Sequence, residues 1–156
     1  MRKTYQVLAN AIAVLVVVQA GAIAWAFLGL SNEIDQNGLV INKACLESDS
    51  GCGGGFTAEW GFAIHMFFNG TILIPLVTIV LLIVSFFAKV PRGTVLAVVI
   101  VVSIAVQVAA GITADSMPYI GLIHGLNAFI LFGSALAAAS AAETASTAES
   151  VPAAAV

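Results

Sequence analysis

Four long apolar runs, separated by polar or turn-forming segments, set the plan of this chain. They cover Tyr5 to Leu30, about Thr57 to Ala88, Thr94 to Thr113, and Pro118 to about Ala139. A hydrocarbon core of about 30 Å takes roughly 20 helical residues, so each run is long enough to cross a bilayer. The first has a rival reading. Behind Arg2 and Lys3, and with Ala22 and Ala24, it also fits a signal peptide, but it is longer than the ~7 to 15 apolar residues such a peptide carries. Four spans of this kind predict an all-α, up-and-down four-helix membrane bundle over residues 1–140.

The segments between the runs sharpen that plan. Ser31 to Phe56 holds Glu33, Asp35, Lys43, Glu47 and Asp49 and is too polar for lipid, so residues 31–56 form an outer loop. Thr57 is placed to cap helix two, with Glu59 in its first turn where a carboxylate suits the helix dipole. Pro75 is expected to bend that helix and free the carbonyl of Thr71. Lys89, Pro91, Arg92 and Gly93 make a basic turn, and Pro118 suits the first position of helix four. Residues 141–156 are low-complexity Ala, Ser, Thr and Glu, and are expected to be a disordered tail.

Composition agrees with the pattern. Hydrophobic residues make up 61% and charged residues 8%, against roughly a quarter charged in soluble domains, and the mean hydropathy is +1.09. The chain reads as one integral membrane domain whose first partner is the lipid bilayer, and no basic run points to nucleic acid. Arg2, Lys3, Lys89 and Arg92 fall on one side of the bundle and only Lys43 on the other. The positive-inside rule then puts both termini in the cytoplasm, in a multi-pass protein of the cell membrane.

Polar residues inside the spans carry the candidate chemistry, because ionisable groups at that depth are costly. The two histidines of the chain are His65, in GFAIHMFFNGTILIP, and His124, in GLIHGLNAFILF. Each is followed by an asparagine on nearly the same helix face, Asn69 and Asn127. At 1.5 Å rise per residue, His65 lies about 10 Å below the start of its helix and His124 about 9 Å below Pro118. Two neutral imidazoles at one depth, facing across a bundle, are what a six-coordinate haem iron requires. Gly61 and Gly121, a turn outward, would leave room for the flat macrocycle. Asn69 and Asn127 would support the ligands by holding a ring N–H or neighbouring backbone. Two other readings stand beside this one: hydrogen-bond glue between helices, and another metal such as copper, with Met66 or Met117 nearby.

A weak internal repeat accompanies the pair. VVQAGAIA around Gln19 in helix one echoes AVQVAAGITA around Gln107 in helix three, and each of these helices precedes a histidine helix. The chain therefore reads as two helix pairs, each with one glutamine and one histidine inside the membrane. Cys45 and Cys52, six apart in the glycine-rich outer loop, are expected to form a disulfide on an oxidising face, either as a staple or as a working redox pair.

The order of these features resembles one four-helix half of the haem A synthase family: two cysteines six apart in an outer loop, a histidine in helix two, VQVAAGIT ending helix three, and LIHGLNAFILF in helix four. The likeness covers most of residues 1–140. It implies the haem-ligand role for His65 and His124 and a redox role for Cys45 and Cys52. That family carries a glutamate one turn before the helix-two histidine. Here those positions are Gly61 and Phe62, and Glu59 is turned about 240° from His65, so the likeness does not extend to the acid. The family also has two such halves, so a complete enzyme of this kind would need a homo-oligomer. The chain is similar too to small uncharacterised four-span proteins of actinobacteria, a likeness that brings no activity. The expectation is a b-type, bis-histidine haem protein in electron transfer or haem handling, with a redox partner or a second copy. The competing expectation is a non-enzymatic subunit or scaffold.

Overall fold

The computed structural model describes residues 1–46, 57–114 and 116–150, and the side chains of all of these except 45, 46, 149 and 150. Its elements are α1 (Arg2–Asn37), a short α2 (Lys43–Leu46), a 3-10 turn (Thr57–Glu59), α3 (Trp60–Ala63), a π-helical segment (Ile64–Leu73), α4 (Ile74–Ser85), α5 (Gly93–Ala114) and α6 (Ile120–Ser150). The stretch from Thr57 to Ser85 is one continuous span, so the fold is an all-α bundle of four long helices. All four are long and apolar enough to cross a membrane. The helices form a ring: α1 packs on α6 and on the second span, and α5 packs on α4 and α6. Large apolar side chains such as Phe67, Phe86 and Phe129 lie exposed around the ring, as a lipid-facing perimeter requires.

Several boundaries differ from the sequence pattern. α1 runs past Leu30 to Asn37, where Asn37 bonds Glu33 one turn back at 2.7 Å. It stops at Gly38, whose left-handed φ of 68° turns the chain and lets its N–H reach the Glu33 carbonyl. The loop expected over 31–56 is thus helical through residue 37; residues 47–56 lie outside the described part. α6 starts at Ile120, two residues after Pro118, through a tight lead-in turn in which Gly121 N–H bonds the Pro118 carbonyl at 3.0 Å.

The expected end of the last helix near Ala139 is also corrected. α6 continues to Ser150, because alanine is the strongest helix former and the extension has an inward face: Ala139 and Ala142 are buried in the core. Arg2 also donates from Nη1 to the Ala145 carbonyl at 3.3 Å, tying the first and last helices together at one end of the bundle. Residues 151–156 lie outside the described part.

The half of the bundle nearer the termini is tightly packed. Tyr5, Ile12, Leu81 and Ile100 are fully buried there, among alanines of α1, α5 and α6 that let the helices approach closely. Tyr5 donates its hydroxyl to the Gly93 carbonyl at 2.8 Å, fixing the start of α5 against α1. The polar residues singled out in the sequence lie in the other half, toward the 38–56 connection.

Candidate functional site

His65 and His124 come together. Their ring centres are 5.9 Å apart, with the planes inclined at 54°, so face-to-face stacking is not what pairs them. Each ring is held from the preceding long helix. His65 Nδ1 lies 3.0 Å from the carbonyl oxygen of Gln19 in α1, and His124 Nδ1 lies 2.9 Å from that of Gln107 in α5. A carbonyl oxygen only accepts, so both Nδ1 atoms carry the proton and both Nε2 atoms keep a free lone pair. Among the described residues neither Nε2 has a hydrogen-bond partner.

The asparagines repeat the pattern one turn away. Asn69 donates to the Leu15 carbonyl at 2.8 Å, and Asn127 donates to the Ser103 carbonyl at 2.8 Å. Leu15 and Ser103 each lie four residues before the glutamine of their helix. The internal repeat therefore extends to individual hydrogen bonds, with histidine on the glutamine carbonyl and asparagine on the carbonyl one turn back. Neither asparagine touches a histidine ring; both bond neighbouring backbone.

The two halves differ by one residue. Ile64-His65 and Asn69-Gly70-Thr71-Ile72-Leu73 match Ile123-His124 and Asn127-Ala128-Phe129-Ile130-Leu131, but three residues part His65 from Asn69 and two part His124 from Asn127. A π turn, closing i→i+5, holds one residue more than an α turn. The π segment thus absorbs the extra residue and returns Asn69 to the face it needs. The N–H of Ile74 accordingly bonds the Asn69 carbonyl, five residues back. Pro75 lies in the first turn of α4, directly after the π segment.

The halves also differ in how completely their polar groups are paired. In the second, Asn127 donates to Gln107 Oε1 at 2.7 Å and Ser103 donates to Asn127 Oδ1 at 3.0 Å, so both acceptors are used. In the first, the Gln19 amide turns the other way and donates to the His65 carbonyl at 2.7 Å. Leu15 stands where the second half has Ser103. Gln19 Oε1 and Asn69 Oδ1 are left buried without a partner, and such a group costs about 1–3 kcal/mol.

A cavity of about 430 Å³ opens beside the histidines, within the roughly 300–1,000 Å³ of ligand pockets. Val16, Gln19, Ala20 and Ile23 of α1, Gly125, Phe129 and Phe132 of α6, and both histidines line it. Gly61 and Gly121 are not among its lining residues. Gly61 is buried on α1, where a Cβ would run into the Ala22 carbonyl and lie 2.9 Å from Ala26 Cβ. Gly121 faces Ala114. The glycines that shape the site are others. A Cβ on Gly70 would run into the His65 carbonyl and lie 2.7 Å from Gln19 Nε2, and one on Gly111 would lie 3.2 Å from the His124 ring.

Among the described residues no three His, Cys, Asp or Glu side chains gather as a metal site. Two imidazoles are nonetheless enough for a group that brings its own equatorial ligands. Metal–imidazole bonds of about 2 Å, in line through one ion, with about 1 Å from each nitrogen to its ring centre, put the centres roughly 6 Å apart. The spacing found fits. Cys52 lies outside the described residues, as does the Cys45 side chain, so their pairing is not part of this geometry.

Sequence inspection missed Gln19, Gln107 and Ser103 as site residues, although the glutamines stood out in the repeat. Matching Ile-His to Ile-Leu in the two histidine helices would have exposed the extra residue. No protein-family model, curated protein or solved structure matches this chain.

Proposed function

We propose that this is a membrane haem-binding protein of b-type cytochrome character, in which His65 and His124 are the axial ligands of one haem b. One observation carries the reading: both rings are fixed through Nδ1 on backbone carbonyls, leaving two free Nε2 atoms on rings 5.9 Å apart beside an apolar cavity. That is how ligating histidines are held, because the bond at one nitrogen sets the tautomer and aim of the other. When bound, the haem supplies a one-electron couple, and the role is electron transfer or haem handling with a redox partner or a second copy of the chain. The chain's own residues hold the imidazoles, and the apolar walls keep water away.

The protein resides in the cell membrane with both termini cytoplasmic, which the placement of Arg2, Lys3, Lys89 and Arg92 supports. The site then lies near the outer face. Cys45 and Cys52 close a disulfide in the outer connection; thiol titration of the isolated protein tests this, and two free thiols would remove it.

The absorbance spectrum of the purified, reduced protein tests the haem directly. Sharp six-coordinate bands that vanish in His65→Ala and His124→Ala are the expected result. A second reading is favoured by the bonds from Asn69 and Asn127 to the preceding helices, which lock helix packing with no ligand needed. A scaffold of that kind gives no haem bands under any loading condition.

A further inference from the structure

The two halves of the site are built on one pattern but are not equally secured. His124 sits on a regular α-helix, and its support is closed: Gln107 takes the ring N–H on its carbonyl and the Asn127 amide on its side chain, and Ser103 completes Asn127. His65 sits in a π segment of ten residues, longer than the single-turn bulges that are usual. Its support is open, since Gln19 Oε1 and Asn69 Oδ1 have no partner.

We propose that His65 is the exchangeable member of the pair, released from the haem iron when a small sixth ligand arrives, while His124 stays bound. The inference rests on the haem reading above. Three features favour release on this side. First, the extra residue between His65 and Asn69 gives this span two local registers, so a return of the π turn toward α would carry the ring away from its partner. Second, the Gln19 amide gains as well as loses by moving: in the arrangement of the second half, Oε1 would accept from Asn69. Third, any movement of the second half breaks bonds at Ser103, Gln107 and Asn127 with no unpaired group to gain. The site then suits a haem that binds a small neutral ligand as well as one that passes electrons.

Carbon monoxide on the ferrous protein would drive the exchange. His65 Nε2 would give up its bond to the iron and recover its lone pair as the carbon of carbon monoxide takes its place, with no electron transferred. The experiment uses the full-length, haem-loaded protein in detergent, reduced, with and without carbon monoxide, and treated with diethylpyrocarbonate, which modifies free imidazole nitrogen. Peptide mass spectrometry reads the site of modification. The expected result is protection of both histidines without carbon monoxide, and modification of His65 at least about tenfold over His124 with it, the ratio that 1.4 kcal/mol corresponds to.

Equal modification, or modification of His124 first, overturns the proposal, as does a spectrum that carbon monoxide leaves unchanged. Deleting Phe67 gives the second span the His-x-x-Asn spacing of α6, and is expected to keep the six-coordinate spectrum while slowing carbon monoxide uptake about tenfold. An unchanged rate in a deletion variant that holds haem also overturns it. Should the protein never show six-coordinate bands before carbon monoxide is added, the haem reading itself fails, and the exchange proposal goes with it.

Discussion

His65 Nδ1 and the carbonyl oxygen of Gln19 lie 3.0 Å apart, while the Gln19 amide reaches back 2.7 Å to the carbonyl of His65. This reciprocal pair joins α1 to the π segment and fixes the His65 ring, whose centre lies 5.9 Å from that of His124. The equivalent pair in the second half, His124 and Gln107, keeps the ring bond but sends the glutamine side chain to Asn127.

Gly70 is what admits the Gln19 amide to the His65 carbonyl. Gly70→Ala is expected to displace both partners of that bond, because its methyl would run into the His65 carbonyl and lie 2.7 Å from Gln19 Nε2. Helicity by circular dichroism should survive, while haem retention falls. Gly133, whose added Cβ would meet nothing within 4 Å and which does not line the cavity, is the control: Gly133→Ala should leave retention unchanged. Equal loss in both variants would argue against a specific role for the Gln19 clasp.

Ser103→Ala removes the donor to Asn127 Oδ1, in a place where Ser103 and Asn127 are 5% and 7% exposed. An acceptor left unpaired there costs about 1–3 kcal/mol, so the variant should unfold earlier in a thermal or denaturant series. The reverse change in the other half, Leu15→Ser, offers a hydroxyl to Asn69 Oδ1. It is expected to be neutral or stabilising, although it removes apolar surface. A stabilised Ser103→Ala would show that the network is not closed as described.

Tyr5→Phe should separate stability from the site. The change keeps the ring in its fully buried place and removes only the hydroxyl that bonds Gly93. A loss of about 1 kcal/mol, with the haem spectrum unaltered, is expected, since Tyr5 and Gly93 lie at the terminal end of the bundle and neither lines the cavity. A shifted spectrum in this variant would couple the two ends.

The orientation is tested by labelling in intact cells with a membrane-impermeant thiol reagent, after Asp35→Cys or Arg92→Cys substitution in a chain whose own cysteines are changed to serine. Reagent should reach position 35 and not position 92. Labelling at 92 from outside would invert the bundle.

The number of spans, their order and the pairing of histidine with asparagine were legible in the residues alone. Each of these is written in local signals: apolar runs of spanning length, turns at Pro91 and Pro118, and two polar residues about one turn apart. Depth follows from rise per residue, which is why His65 and His124 could be put at one level before their rings were seen to meet. The helical extension to Ser150 was obscured because its inward face is made of alanine, which packs closely yet carries little hydropathy contrast with its neighbours.

What the polar residues hold depends on how the helices pack. A backbone carbonyl has no letter of its own, so the acceptors at Leu15, Gln19, Ser103 and Gln107 depend on how two helices are rotated against each other. The same holds for the glycines: Gly61 proved to serve helix packing and Gly70 the site, because steric room belongs to the neighbouring helix. The π segment joins the two kinds of information. Its cause, one extra residue between His65 and Asn69, is present in the sequence, but its consequence appears only when α1 requires both side chains on one face.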